Sequence, residues 1–421
     1  MSFSPNLTPE PQLVSWNLTR VCNLACGHCY LDAVQRRSEA SDELTTEEAL
    51  AVVDEIAALA PGAMLVLTGG EPLMRRDLDQ LIERAAGHDL MPVIGTNGSL
   101  LTAARARRLR AAGAVGVGIS LDSIRPDFHD RLRGMAGAWE KTVAGIEAAR
   151  AAGLAVQLQI SIFRENRGDL AAMADFAEEI GALALNFFFL VCTGRGVSQT
   201  DLDSATYEAT LAEIATLQRE RPQLLLRARC APYMRRRLGL HAGEARDGYE
   251  SFSSACLAGR SYFRIGPAGD VTPCPYIPDA IGNLRRQMLG DLWRESPLLR
   301  RLREEMPGGK CGSCDYRISC GGCRARALAL SGDLMAEDPK CAYLPPAGAL
   351  AESVAESVPI EAGPAWDATA GDLLARIPGF IRRRVREGVE RKAREAGIRL
   401  VTPDFMQACR PASLSLLRPK R

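Results

Sequence analysis

Leu13-Val14-Ser15-Trp16-Asn17-Leu18 is followed, three residues on, by Cys22-Asn23-Leu24-Ala25-Cys26-Gly27-His28-Cys29. A β-rich run that ends in a cysteine loop reads as a strand carrying a metal site to its end. The spacing sets three thiolates on one short loop. An iron–sulfur cubane takes four cysteine ligands, so a set of three leaves one iron for a small molecule to complete. The alternatives are three unrelated buried cysteines or a zinc knuckle. Closed structural zinc sites use four ligands, and no further Cys or His lies nearby except His28 inside the loop.

Outward from this loop, β-rich runs alternate with segments of helical period as far as about residue 220. Strands are predicted at 13–18, 64–68, 91–95, 115–121, 155–162 and 185–191. Helices are predicted at 45–59, 75–86, 103–112, 138–152, 168–180 and 205–217, with Gly87, Gly113, Gly153 and Gly181 at helix C-caps. Six successive βα units imply an α/β fold with a parallel sheet and right-handed crossovers. Ligands of such sheets gather at the C-terminal ends of the strands.

The 421 residues carry 52 Lys and Arg against 51 Asp and Glu, so no global charge argues for nucleic acid. The N-terminus shows no signal-peptide pattern, and the apolar run around 182–192 is too short to span a bilayer. Thirteen cysteines without a secretion signal favour metal ligation over disulfides and a cytoplasmic location.

The cysteine spacing and the ring of His28 before the third cysteine resemble the radical S-adenosylmethionine (SAM) enzymes. The resemblance covers roughly residues 13–200 and implies a partial (β/α)6 TIM-like barrel. It implies a 4Fe–4S cluster on Cys22, Cys26 and Cys29, with SAM on the open iron. It also implies that one-electron cleavage of SAM to a 5′-deoxyadenosyl radical precedes hydrogen abstraction from substrate. Gly69-Gly70-Glu71-Pro72 follows the second strand, where two glycines permit close backbone approach to a ligand. Its polar groups would hold the SAM amino group, and Glu71 would fix the turn or supply a charge. By the same resemblance Ser120 contacts the SAM carboxylate or ribose, and Thr96 and Asn97 face the ribose or substrate. Ser161 and the backbone near Leu190 complete the expected SAM site.

Beyond the barrel, Cys256 and Cys274 flank Gly269, and Cys311-x2-Cys314-x5-Cys320-x2-Cys323 is followed by Cys341. This resembles the SPASM extension of radical SAM enzymes, which carries auxiliary 4Fe–4S clusters; its usual last pair is spaced by three, here by two. The resemblance gives Cys311, Cys314, Cys320 and Cys341 to one cluster. Cys256, Cys274 and Cys323 go to another, with Cys230 or an open iron in the fourth place. Zinc ribbons are the competing reading of the Cys-x2-Cys pairs. Cys192 and Cys409 fit no ligand pattern and read as buried thiols. The four histidines (His28, His88, His129 and His241) offer no haem ligand.

The domain order expected is a core at 13–225, a cysteine-rich SPASM domain at 226–345, a linker at 346–364 and a small helical domain at 365–411. From Trp366 onward there are thirteen Lys and Arg against six Asp and Glu. The sequence there is similar to the C-terminal domain of the light-independent protochlorophyllide reductase B subunit, itself a tetrapyrrole enzyme. A helix at 378–396 would expose Arg382, Arg383, Arg386 and Lys392, suited to propionates or an acidic partner. The phrase 187–196 and the Leu-Thr-Arg-x-Cys-Asn-Leu start look like the haem and haem d1 maturing branch. That branch implies loss of carbon from a tetrapyrrole propionate, with Arg195 pairing to a carboxylate and ferredoxin or flavodoxin donating electrons. The rival substrate is a ribosomal peptide; only about a dozen residues precede the first strand, too few for a leader-binding domain. A non-catalytic electron carrier is the third reading, and such a protein has no use for an open iron.

Overall fold

The computed structural model describes residues 10–31, 33, 42–191, 193–198, 201–241, 255–346, 364–375 and 379–409. Cys192 and most of the expected linker lie outside them. Seven strands run parallel in sequence order: β1 (Leu13–Asn17), β2 (Met64–Thr68), β3 (Met91–Thr96), β4 (Gly116–Ser120), β5 (Ala155–Ile162), β6 (Ala184–Phe189) and β7 (Leu225–Arg229). Six βα units therefore precede a seventh strand, which the sequence reading missed and which the expected boundary at 225 would cut off. A further strand, β8 (Tyr262–Ile265), runs parallel to the free edge of β1, with Leu13 opposite Tyr262 and Trp16 opposite Ile265. Antiparallel β9 (Asp270–Thr272) and β10 (Gly282–Asn283) follow it. The cysteine-rich region thus begins as a continuation of the barrel sheet. The sheet stays open, because β7 and β10 are its two ends.

Strand alternation separates two faces. On β5, Val156, Leu158, Ile160 and Ile162 are buried, while Ala155, Gln157, Gln159 and Ser161 remain partly accessible. The outer, apolar set joins Trp16, Leu65, Ile94, Ile119, Phe187, Leu226 and Phe263 in one core with the surrounding helices. The inner face is polar.

The helices have local causes. Thr45 and Glu48 form a capping box at the start of α1 (Thr46–Leu59), and Thr102 caps α3 (Ala103–Ala112), which stops at left-handed Gly113. Gly87 is the last residue of α2 (Leu78–Gly87) and not its cap; the left-handed residue there is Asp89. Between β4 and β5 the chain forms α4 (Pro126–Arg133), too short for the sequence period to show, and then α5 (Ala138–Ala151). The remaining barrel helices are α6 (Leu170–Glu179) and α7 (Ser204–Glu220), the latter capped by Asp203.

The C-terminal module is not purely helical: Ala365–Trp366 pairs in parallel with Leu400–Val401 beside helices Ala368–Ala375, Gly379–Glu395 and Pro403–Ala408. Ala370, Leu374, Val389, Ala393, Val401, Met406 and Cys409 form its own core. Arg386 is exposed as expected and pairs with Glu390, but Lys392 is half-buried and its ammonium donates to the Cys409 carbonyl at 3.3 Å. The side chains of Arg382 and Arg383 lie outside the described set. Among the described residues no helix is long and apolar enough to cross a membrane.

Helix α5 presses against the turn after β3. A Cβ added at Gly145 would lie 2.2 Å from the Gly98 carbonyl oxygen, whereas one at Gly388 would meet nothing within 4 Å. Helix propensity favours Gly→Ala by about 1 kcal/mol, but overpacking costs about 1–3 kcal/mol. Gly145→Ala is therefore expected to lower unfolding stability by up to about 2 kcal/mol and Gly388→Ala to stabilise its module slightly. Denaturant titration followed by circular dichroism checks both signs.

Candidate active site and cysteine clusters

The β1–β2 ladder continues past the strand ends. Leu18 N donates to Thr68 O at 2.7 Å, Gly70 N to Thr19 O at 2.7 Å and Glu71 N to Val21 O at 2.8 Å. The approach leaves no space for side chains: a Cβ at Gly70 would sit 2.2 Å from the Val21 oxygen, and one at Gly69 (φ 150°) 2.8 Å from the Thr19 oxygen. The glycine pair lets the two loops meet backbone to backbone. Buried Arg75 tightens the joint by donating to Leu18 O at 2.7 Å and Leu44 O at 2.9 Å while its fork grips Asp77. The cysteine loop leaves from this fixed base.

Glu71 is fully buried and fixes the turn, as expected. Its carboxylate accepts from Leu73 N (3.1 Å), Thr96 Oγ1 (2.7 Å) and Asn97 N (2.9 Å). Burial raises its pKa to about 6 even with these donors. Thr96 and Asn97 join the same network. The Thr96 hydroxyl also accepts from Gly98 N, and the Asn97 side chain joins Asn23 Oδ1 to Ser99. These bonds form a brace that ties the third strand end to the cysteine loop through Asn23.

Within that loop Cys22 is buried and Cys26 and Cys29 are half-buried. Burial pushes the Cys22 thiol up to about 12. The Arg133 guanidinium, at the end of α4, lies 3.7 Å from the Cys26 sulfur and 2.6 Å from Asp122 Oδ2. Burial alone would raise the Asp122 pKa, but the charge of Arg133, helped by the hydrogen bond from Ser161 N, shifts the carboxyl downward and holds it ionised. Burial also lowers His28 and His129 to about 4, so both rings are neutral near pH 7. The His28 ring packs edge-on against Phe163 at 5.4 Å. Arg195, expected to meet a substrate carboxylate, is occupied differently. Its Nε donates to Cys26 O at 3.0 Å, its Nη1 to Ala33 O at 3.1 Å and its backbone N to Cys29 O at 3.1 Å. It braces the cysteine loop from the far side of the barrel.

The remaining cysteines divide into two groups by mutual electrostatics. Cys230, Cys274 and Cys323 are pushed up chiefly by burial, Cys230 to about 11, and each also feels Cys256 and, at Cys274 and Cys323, other thiols of the same group. Cys311, Cys314, Cys320 and Cys341 form the other group and line one pocket with Tyr233, Arg236, Lys310, Tyr316 and Tyr343. Among the described residues no three His, Cys, Asp or Glu side chains gather as closely as a single metal ion requires. A polynuclear cluster holds its thiolates at wider spacing, and two sets of four buried or half-buried thiols supply the donors it takes. Cys230 directly follows β7, Cys256 precedes β8 and Cys274 follows β9, so the first group bridges the two free sides of the open sheet. Tyr30, next to Cys29, contacts the ring of Tyr276 at 5.4 Å, and Tyr276 N lies 3.4 Å from the Cys274 sulfur. The buried Arg326–Asp338 pair (3.1 Å) links the groups: Arg326 donates to Cys230 O, and Asp338 accepts from Cys323 N while its own N–H meets the Cys311 sulfur.

Ser120 ends β4 on the inner face. Ser161 donates its N–H to Asp122 Oδ1 at 3.0 Å and its carbonyl accepts from Asn166, while the Leu190 carbonyl lies 3.5 Å from Arg326. Sequence reasoning missed Arg133, Arg326 and Asp338. The first sits on the short α4, and the other two flank a cysteine run without any periodic signal of their own.

Comparison with known proteins follows the same divisions. The radical SAM superfamily model matches residues 16–177, that of an iron–sulfur cluster-binding domain (SPASM) 256–321, and that of the proto-chlorophyllide reductase 57 kD subunit 366–410. The chain is 38% identical to an AdoMet-dependent heme synthase of Methanosarcina barkeri over 80% of its own length and 98% of that protein. It is 32% identical to a PqqA peptide cyclase of Granulibacter bethesdensis, over 80% of this chain and 88% of that one. The crystal structure of Streptococcus suis SuiB bound to precursor peptide SuiA shares the fold, with a TM-score of 0.65 at 16% identity over 80% of this chain and 77% of that one.

Glu71 yields a pH prediction. Its folded pKa, about 6, exceeds the ordinary 4.5, so the folded state binds the proton more tightly than the unfolded state. Its contribution is fully present below pH 4.5 and is lost as the pH rises through about 6. Wild type is therefore expected to lose about 2 kcal/mol relative to Glu71→Gln between pH 4 and 7. Unfolding free energies of both proteins across that range test the sign.

Proposed function

The chain belongs to the radical SAM superfamily and carries its SPASM extension, and from that premise we propose that it removes carbon from, or oxidises, a propionate side chain of a haem-type tetrapyrrole. The supporting observation is 38% identity to a heme synthase across 98% of that enzyme, with the three-cysteine loop clamped at the sheet's C-terminal rim. Cys22, Cys26 and Cys29 would hold the SAM-binding 4Fe–4S cluster. When bound, that cluster would supply the electron for reductive cleavage of SAM, the source of the radical chemistry on the substrate.

The protein's own part is to position and exclude. Gly70 and Arg75 fix the base of the loop, Arg195 holds its carbonyls, and Arg133 sets a positive charge beside Cys26. Neutral His28, beside Phe163, walls the loop with apolar surface. The reading extends to two auxiliary clusters, one on Cys230, Cys256, Cys274 and Cys323 and one on Cys311, Cys314, Cys320 and Cys341. Its electron donor is a ferredoxin or flavodoxin, and it works in the cytoplasm. The domains are a core extending through β7, the SPASM region to about residue 345 and the basic module beyond the linker.

Anaerobic protein given dithionite and SAM, with and without coproporphyrin, Fe-coproporphyrin or sirohaem derivatives, is expected to form 5′-deoxyadenosine in a substrate-dependent way. One porphyrin should lose mass. If no tetrapyrrole stimulates cleavage while a small peptide does, the peptide reading suggested by the PqqA cyclase relative replaces this one.

The ligand sets are tested separately by iron analysis. Three cubanes give about 12 irons per chain. Cys230→Ala should lose up to about four of them while still cleaving SAM with dithionite. Unchanged iron would remove Cys230 from the ligands.

A further inference from the structure

The strands β1 to β8 contain no Asp or Glu and three Arg. Arg227 and Arg229 of β7 and Arg264 of β8 occupy partly accessible positions that alternate with buried Leu226, Phe263 and Ile265. By the parity that puts Leu226 and Phe263 in the outer core, all three arginines belong to the inner face of the barrel. They stand on β7, at one end of the open sheet, and on β8, which continues it beyond β1. Arg264 Nε donates to Asn17 Oδ1 at 2.5 Å, and Asn17 Nδ2 donates to the Tyr30 hydroxyl at 3.0 Å. Tyr30 follows Cys29, so this chain of contacts runs from the arginine to the cysteine loop. Across the seam, Arg229 Nε donates to Asn186 Oδ1 at 3.1 Å.

The rings around Arg264 do not balance its charge. Tyr30 and Tyr262 stand near the guanidinium, but a phenol, whose ordinary pKa is about 10, brings no negative charge at neutral pH. A half-enclosed cation without a carboxylate on its own wall is costly unless an anion is supplied.

We infer that Arg264, with Arg229 and Arg227 across the seam, is the carboxylate-recognition element of the substrate site. It takes a polycarboxylate and holds one carboxylate beside the cysteine loop. The assignment rests on the tetrapyrrole reading and moves the recognition role from Arg195, whose fork is spent on loop carbonyls, to the inner wall. An Arg fork suits bidentate carboxylate binding, and charge-assisted pairs are stronger than neutral ones. Selectivity against a substrate whose acids are masked should therefore be large.

The test is a Soret titration of the anaerobic, cluster-loaded protein with Fe-coproporphyrin III and with its tetramethyl ester. Wild type should bind the free acid at least tenfold more tightly than the ester. Arg264→Gln should lose at least tenfold for the acid and little for the ester, Arg264→Lys should recover part of the loss, and Arg229→Gln should weaken the acid independently. Iron content of each variant reports that the clusters are retained. Equal binding of acid and ester by wild type overturns the inference whether or not the variants fold. Acid binding that Arg264→Gln leaves unchanged overturns it too. A wild type that binds neither form overturns the tetrapyrrole reading itself, and this inference with it.

Discussion

The contact between the backbones after β1 and β2 is the constraint on which the site depends. Parallel strands ordinarily diverge into loops at their C-terminal ends, where hydrogen bonding stops. Here pairing persists to Val21 O, and the space beside Gly70 is smaller than a methyl group. The loop with three cysteines therefore starts from a position as fixed as the strand itself. Arg75 beneath it, Glu71 with its three donors and Arg195 from the sixth strand's end hold it on different sides. A site meant to hold a cluster with one open coordination position needs such support, because its ligands must not rearrange to fill the vacancy.

A second constraint follows from leaving the barrel incomplete. Eight strands can close by hydrogen bonding, but this sheet ends at β7 on one side and continues through β8 to β10 on the other. Cys230, Cys256 and Cys274 come from the chain at these two sides, and their thiols sense each other. A cluster on these residues with Cys323 would staple the seam while leaving the inner face accessible below it. Arg326 and Asp338 reinforce the junction, joining a carbonyl at the end of β7 to backbone and sulfur in both cysteine groups.

Much of this was legible in the sequence because the signals were local. The strand positions, most helices and the cysteine spacings follow from period, caps and residue chemistry. The failures have physical causes. β7 (Leu-Leu-Arg-Ala-Arg) carries two charges in five residues and reads as surface, since only the curved sheet supplies an enclosed polar face. α4 spans eight residues, barely two turns, too few for a helical period to emerge. The bond from Thr96 to the buried Glu71 carboxylate, 25 residues away in sequence, could not be read from a short polar residue at a strand end. The carbonyl partners of Arg195 were hidden for a related reason, since they lie some 160 residues earlier.

Overall neutrality also concealed a local charge asymmetry. A chain with a net charge of +1 looks unselective, yet its eight barrel strands hold cations and no anions. Acidic side chains sit instead on helices and outer loops, where Asp54, Asp79 and Glu208 pair with surface or half-buried arginines. Such exposed pairs contribute little individually. Inside the barrel, where water is scarcer, the same guanidinium acts over a longer range and discriminates more sharply between an anionic and a neutral ligand. The distribution matters more than the total: the fold directs its positive charge to the one surface that both the cysteine loop and the seam border.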